Sequence, residues 1–323
     1  MKKFISLTIS VTILLIIYAK IDFPGLSQVF QPCTPDTIGV CNNPFWMTIS
    51  LGMVIPITLF TAWRLQQLMP TKASLGLIEA NRLILGASVL NMVLPSKMGD
   101  IAKAYFMRDR GHLSGSLSLS LVIFEKASDM LSLLLWCVLG LILYPSKSGL
   151  FWAMTGAVLG GLLLGLLLLG YPRFAQSCFR LISRLAPQKQ SQKFQQLQTD
   201  WGAMHDYFWQ DKQQLAKITL TSIFIWFLHL LQIWLFILAL NGKIPLIINL
   251  ALSPLAILAG LLPLTFAGIG TRDAALILFY QDYFSPTTGA ALGLLCTSRY
   301  FIPALIGLPF LGQMLGTVGN MKE

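Results

Sequence analysis

The sequence predicts an all-α, polytopic membrane protein of about six to eight transmembrane helices, including two broken or re-entrant helical hairpins and an expected inverted repeat. Three observations carry that reading. Apolar runs near the ~20 residues that a helix needs to cross a ~30 Å hydrocarbon layer recur from end to end. Of the 323 residues 55% are apolar and only 11% charged, less than half the roughly 25% charged residues of an ordinary soluble domain. The basic residues are spread over short loops, so membrane topology accounts for the net charge of +10 and nucleic acid is not an expected partner. A soluble enzyme is excluded.

Taken in order, Met1, Lys2 and Lys3 precede an apolar run from Phe4 to Ala19. It reads as a retained signal-anchor, because Ile17 and Lys20 flank Ala19 without a small-x-small cleavage site. Further crossings are expected at Pro44 to Trp63, Ser114 to Tyr144, Leu150 to Tyr171, Ile218 to Leu240 and Thr288 to Leu311. In the fourth crossing, Gly156 to Gly160 and Gly161 to Gly165 set small residues four apart, which permits close helix approach. The polar stretch at about 172–217 lacks strand alternation and dense apolar periodicity. It is expected to be a cytoplasmic connector with one or two surface helices, its Arg173 to Lys193 run resting on anionic headgroups. Nothing is large enough for a separate soluble domain, so 1–323 reads as one integral membrane domain.

An amino terminus inside places 14 cations on the cytoplasmic side, Arg64, Lys72, Arg108 and Arg173 among them, against Lys20, Lys147 and Lys243 outside. This positive-inside asymmetry puts both termini in the cytoplasm. The loop with Cys33 and Cys41 then lies outside, where either a disulfide or two free thiols would fit.

Leu75 to Met107 and Ile244 to Tyr280 do not behave as simple crossings. Pro95 removes a helical hydrogen bond, disfavours helix at Leu94 and is followed by Gly99, so a break is expected near residues 94–99. The second stretch repeats the grammar: Leu262-Pro263, small residues, Gly268 and Gly270, then Arg272 beside Asp273. Non-helical backbone at membrane depth survives only where protein or water satisfies it. The two breaks are therefore expected to enter from opposite sides and fold toward each other around a hydrated, cation-lined pocket. Helix ends near Gly99 and Gly270, with Lys97, Lys103 and Arg272, would suit an anionic group such as a phosphate.

Glu125, Lys126 and Asp129 lie inside the third crossing, Glu125 and Asp129 on one helical face. Charges there cost a few kcal/mol each and need partners. Arg272 and Arg299 are the expected partners, either fixing helix packing or lining a polar path that His229 and Gln232 would extend.

Three elements then carry a resemblance. They are Asn91-Met-Val-Leu-Pro95-Ser-Lys97-Met-Gly99-Asp100 followed by Arg108, Phe124-Glu125-Lys-Ala-Ser-Asp129, and Gly268-Ile-Gly270-Thr-Arg272-Asp273. In order and spacing the chain resembles the lysylphosphatidylglycerol synthase transmembrane, or flippase-like, family over nearly its whole length. The resemblance implies a polytopic inner-membrane protein concerned with translocating a lipid or lipid-linked molecule. Bifunctional members carry a soluble aminoacyl-transferase domain after the membrane part, whereas this sequence stops at Glu323, so lysyl transfer is not expected of it.

The leading expectation is a flippase moving an anionic amphiphile, a phospholipid or a polyprenyl-phosphate-linked substrate, between leaflets. Lys97 and Arg272 would hold the phosphate, while Glu125 and Asp129 neutralise those cations when the site is empty. Two other readings stay open. One is a membrane-embedded transferase using Asp100, Glu125 and Asp129 as bases or metal ligands. The other is a scaffold that holds a membrane synthase or glycosyltransferase through the connector. No metal-ligand spacing or nucleotide loop calls for a cofactor or a resident metal.

Overall fold

In a computed structural model the described residues are 30–32, 41–69, 75–93, 98–111, 113–143, 149–185, 198–261 except Asp200, Ala203 and Tyr207, and 270–312. The expected first crossing, Phe4 to Ala19, and Cys33 lie outside them. Among the described residues the regular structure is α-helix, with an isolated bridge, Pro32 to Asn42, a closing 3-10 turn and short connecting turns besides. Five segments are long and apolar enough to cross a membrane: Pro44–Leu68, Leu117–Leu143, Phe151–Gly170, Lys212–Ala239 and Pro286–Phe310. They match the five expected crossings that fall on described residues.

The helices are α1 (Pro44–Gly52), α2 (Val54–Leu68), α3 (Leu77–Val93), α4 (Met98–Gly111), α5 (Gly115–Leu143), α6 (Gly149–Gly170) and α7 (Pro172–Leu185). They continue as α8 (Lys212–Ala239), α9 (Leu246–Leu261), α10 (Thr271–Phe279) and α11 (Pro286–Gly307). Local chemistry sets several ends. Asn43 caps α1 by accepting from the Phe45 and Trp46 amides, at 3.1 and 3.4 Å. Pro56 has no amide to offer the Gly52 carbonyl, which accounts for the turn at Met53 between α1 and α2. Gly270 starts α10 at φ 97°, a conformation costly for any residue with a Cβ.

The chain divides into two compact units. Unit 1 comprises Met1–Pro56, Leu133–Val158 and Trp226–Ile302; unit 2 comprises Ile57–Ser132, Leu159–Ile225 and Pro303–Glu323. In unit 1, α9 is buried from Asn249 to Ile257. Gly140 of α5 lies so close to the Ala251 carbonyl that a Cβ would strike it. Gln232 donates to the Ser50 carbonyl at 2.9 Å, a helix-to-helix hydrogen bond. Cys41 is disulfide-bonded, and Cys137, Cys178 and Cys296 are free.

Unit 2 has an apolar core of Leu65, Leu68, Leu83, Met107, Leu121 and Phe124, joined by Trp201, Met204 and Phe208. Those last three correct the expectation of a purely superficial connector. Their i, i+3, i+7 spacing is a helical apolar stripe, and Phe208 stacks on Phe124 with ring centroids 4.7 Å apart. The exposed part of the connector is α7, where Arg173 and Arg180 stand outward.

Candidate functional site: two buried charge clusters

Both interrupted segments end and restart as expected. Helix α3 stops at Val93 and α4 begins at Met98; α9 stops at Leu261 and α10 begins at Thr271. In each pair the second helix packs back on the first. The returning helices have 14 and 9 residues, too few to cross a bilayer. Pro95, Lys97 and Gly268 lie outside the described residues.

The first turnaround depends on a glycine. A Cβ at Gly99 would strike the Ala87 carbonyl and come within 2.7 Å of Asn91 Oδ1, so two residues of the sequence motif, Asn91 and Gly99, meet here. Gly99→Ala is expected to lower the unfolding free energy by about 1–3 kcal/mol through overpacking. Gly156→Ala, where nothing lies within 4 Å, is expected to be neutral or slightly stabilising. Thermal unfolding of both variants in detergent checks the contrast.

Unit 2 holds an ion network with a buried centre and a half-exposed edge at Lys126. Arg64 Nη2 donates to Glu125 Oε1 at 3.0 Å and to Asp129 Oδ2 at 3.2 Å. Its Nη1 donates to Asp129 Oδ1 and, at 3.1 Å, to Ser222 Oγ of α8. Lys103 Nζ is bound to Glu125 Oε2 and lies 3.8 Å from Asp100. Lys126 completes the set at 3.1 Å from Asp100 and 4.0 Å from Asp129. Arg64, Lys103 and Glu125 are each only 1% exposed. Among the described residues three cations therefore face three carboxylates, and the cluster is electrically neutral.

Two expectations are corrected by this arrangement. The partners of Glu125 and Asp129 are Arg64, Lys103 and Lys126, not Arg272 and Arg299. Arg64, counted from the sequence as a cytoplasmic loop cation, belongs to the core, because α2 continues to Leu68 and carries its side chain inside. Its signal was an arginine directly after an apolar span. Only the helix extension reveals that Glu125, 61 positions later, stands opposite it. Arg108 has a separate place, its guanidinium 5.3 Å from the Tyr105 ring centre.

Unit 1 holds the second cluster. Arg272 donates Nε and Nη2 to Asp273 Oδ1 at 3.1 and 2.8 Å, and Nη2 also to Thr297 Oγ1 at 2.6 Å. The Gly293 and Cys296 carbonyls of α11 accept from it at 3.3 and 3.4 Å. Asp273 Oδ2 accepts from the Gly270 amide at 3.1 Å, closing the start of α10. The pair is clamped by small residues: a Cβ at Gly260 would lie 2.7 Å from Arg272 Cβ, and one at Gly293 would lie 2.9 Å from the Asp273 carboxyl. With Asp273 adjacent and α11 supplying acceptors, Arg272 is saturated locally.

Arg299 is different. It is 6% exposed, on the same helix as Thr297 and near the middle of the Pro286–Phe310 span. Its Nη2 meets the Tyr300 hydroxyl at 3.2 Å, and the guanidinium sits 5.1 Å from that ring's centre. Nε and Nη1 have no hydrogen-bond partner, and no salt bridge involves Arg299 among the described residues. A cation–π contact is worth about 0.5–2 kcal/mol, less than the few kcal/mol that a mid-membrane arginine costs.

The carboxylates Asp100, Glu125 and Asp129 are each held by cations. Among the described residues no three His, Cys, Asp or Glu side chains group as a metal site. No curated protein and no solved structure matches the chain. A family model described as the lysylphosphatidylglycerol synthase TM region matches residues 3–307. With multiple membrane-length helices, two interrupted hairpins and that match over nearly its full length, the chain belongs to the lysylphosphatidylglycerol synthase TM-region family.

Proposed function

We propose that this protein is a flippase or lipid transporter that moves an anionic amphiphile between membrane leaflets. The observation that carries the reading is the placing of buried charge beside helix interruptions. Asp100 and Lys103 follow the break before α4, and Arg272 and Asp273 follow the break before α10. Helices that served only to cross lipid would gain nothing from such residues, which are expensive at membrane depth and mark polar paths. The substrate class is a phospholipid or a polyprenyl-phosphate-linked molecule, and a membrane synthase or glycosyltransferase that makes or uses it is the partner class.

On this reading the protein sits in the cell inner membrane with both termini cytoplasmic. Removing Arg64 from the loop cations leaves the inside–outside asymmetry with the same sign. Arg173 and Arg180, outward on α7, would then face anionic headgroups of the cytoplasmic leaflet.

The test is reconstitution of the full chain into vesicles of phosphatidylcholine and phosphatidylglycerol containing a trace of headgroup-labelled phosphatidylglycerol. A membrane-impermeant quencher then reads the outer leaflet. Protein-containing vesicles are expected to lose signal from the inner-leaflet pool as well. Loss confined to the outer leaflet, as in protein-free vesicles, for phosphatidylglycerol and for a labelled polyprenyl phosphate alike, would overturn the proposal.

A further inference from the structure

The charge inventories of the two units differ, and the difference locates the anion. In unit 2 the cations Arg64, Lys103 and Lys126 are matched by Asp100, Glu125 and Asp129. In unit 1 the buried Arg272 and Arg299 are matched by Asp273 alone, among the described residues. Arg272 is bonded to the Gly293 and Cys296 carbonyls and to Thr297 Oγ1 of α11, and Arg299 follows Thr297 by two residues on that helix, so the two guanidinium groups share one stretch of unit 1 with one positive charge in excess among the described residues. The excess is carried by Arg299, because Arg272 has Asp273, Thr297 and two carbonyls.

We infer that Arg299 is the primary anion-binding residue of the transport site, and that it receives the phosphate of a phosphate ester from outside the chain. The inference rests on the proposed transport reading and deepens it. It also moves the anion away from Arg272, which is already neutralised. Arg299 Nε and Nη1 carry three N–H groups between them, all without an acceptor. A phosphate oxyanion supplies several acceptor oxygens and the missing charge together, forming the short charge-assisted bonds that arginine makes best. The Tyr300 hydroxyl, already 3.2 Å from Nη2, stands on the same turn and can donate to such an oxygen.

The experiment compares the full-length protein with Arg299→Gln and Arg64→Gln in detergent, by thermal unfolding with and without added ligand. The probes are short-chain phosphatidylglycerol, short-chain phosphatidylcholine and inorganic phosphate. Phosphatidylglycerol is expected to stabilise the wild type more than phosphatidylcholine does, and Arg299→Gln is expected to bind it about tenfold or more weakly. Without ligand, Arg299→Gln is expected to melt at or above the wild type, since an uncompensated charge has been removed, whereas Arg64→Gln melts lower. Stabilisation by phosphatidylglycerol but not by inorganic phosphate supports a lipid headgroup as the source; equal stabilisation by both supports a free phosphate group at the same residue.

Three results would overturn the inference. They are a wild-type phosphatidylglycerol response in Arg299→Gln, an equal response of the wild type to both lipids, and a ligand-free destabilisation of Arg299→Gln as large as that of Arg64→Gln. The last would mean that Arg299 already has a structural counterion. Binding that depends on Arg299 without any translocation sinks the transport reading and leaves the anion site. Translocation that is indifferent to Arg299→Gln does the reverse.

Discussion

Glu125→Ala is expected to lower the unfolding free energy by about 3–5 kcal/mol, enough to deplete folded protein from membranes. Glu125 holds Arg64 on one oxygen and Lys103 on the other, and all three side chains are shut off from solvent. Truncation strands the buried Lys103, because Asp100 is 3.8 Å away and already binds Lys126, and it leaves Arg64 with Asp129 as its remaining carboxylate. The loss is electrostatic, so it has a signature. Glu125→Gln with Lys103→Met removes one charge of each sign and is expected to recover a substantial part of the stability lost in Glu125→Gln alone. Thermal unfolding in detergent reads both. A double variant no more stable than the single one would refute the charge-balance account.

Asp273→Ala is expected to have a comparable cost, again about 3–5 kcal/mol, and for a sharper reason. Asp273 is the carboxylate that faces Arg272, and Arg299 nearby has none among the described residues. The substitution raises the buried excess from one positive charge to two. It also takes the acceptor from the Gly270 amide at the start of α10, a capping loss of about 1 kcal/mol. Asp273→Asn separates these effects, because the amide oxygen can still accept from Gly270 while the charge is gone. The asparagine variant is expected to stay well below the wild type in melting temperature and modestly above the alanine variant. Melting of Asp273→Asn at the wild-type temperature would show that the cap, not the charge, is what matters.

Much of the architecture was legible in the residues because its causes act over short windows. An apolar run near 20 residues is a membrane helix whatever surrounds it. The interruptions were expected from Pro95 and Gly99, and from Pro263, Gly268 and Gly270, because the backbone preferences of proline and glycine are intrinsic. The Asn91–Gly99 motif also proved to be a packing contact, although only the return of α4 onto α3 explains why glycine is needed. The burial of Trp201, Met204 and Phe208 was not legible, because their stripe is too short to stand out beside the polar residues around it.

The pairing of charges was not legible. Arg64 and Glu125 are 61 positions apart, and Lys103 and Glu125 are 22 apart. Which cation meets which carboxylate depends on how far α2 runs and how α4 and α5 are rotated. A shift of one residue turns a side chain by about 100° on a helix, so nothing in the local pattern specifies the partner.

What the sequence by itself determined is the membrane as solvent, the number and place of the described crossings, and the two points where helix must stop. Those follow from hydrophobic transfer and backbone sterics, which are local. Only the tertiary structure decided that, among the described residues, one set of charges closes on itself while the other leaves Arg299 in excess. That distinction depends on distances between different helices, and at membrane depth a few ångströms separate a neutralised cation from one that calls for an anion.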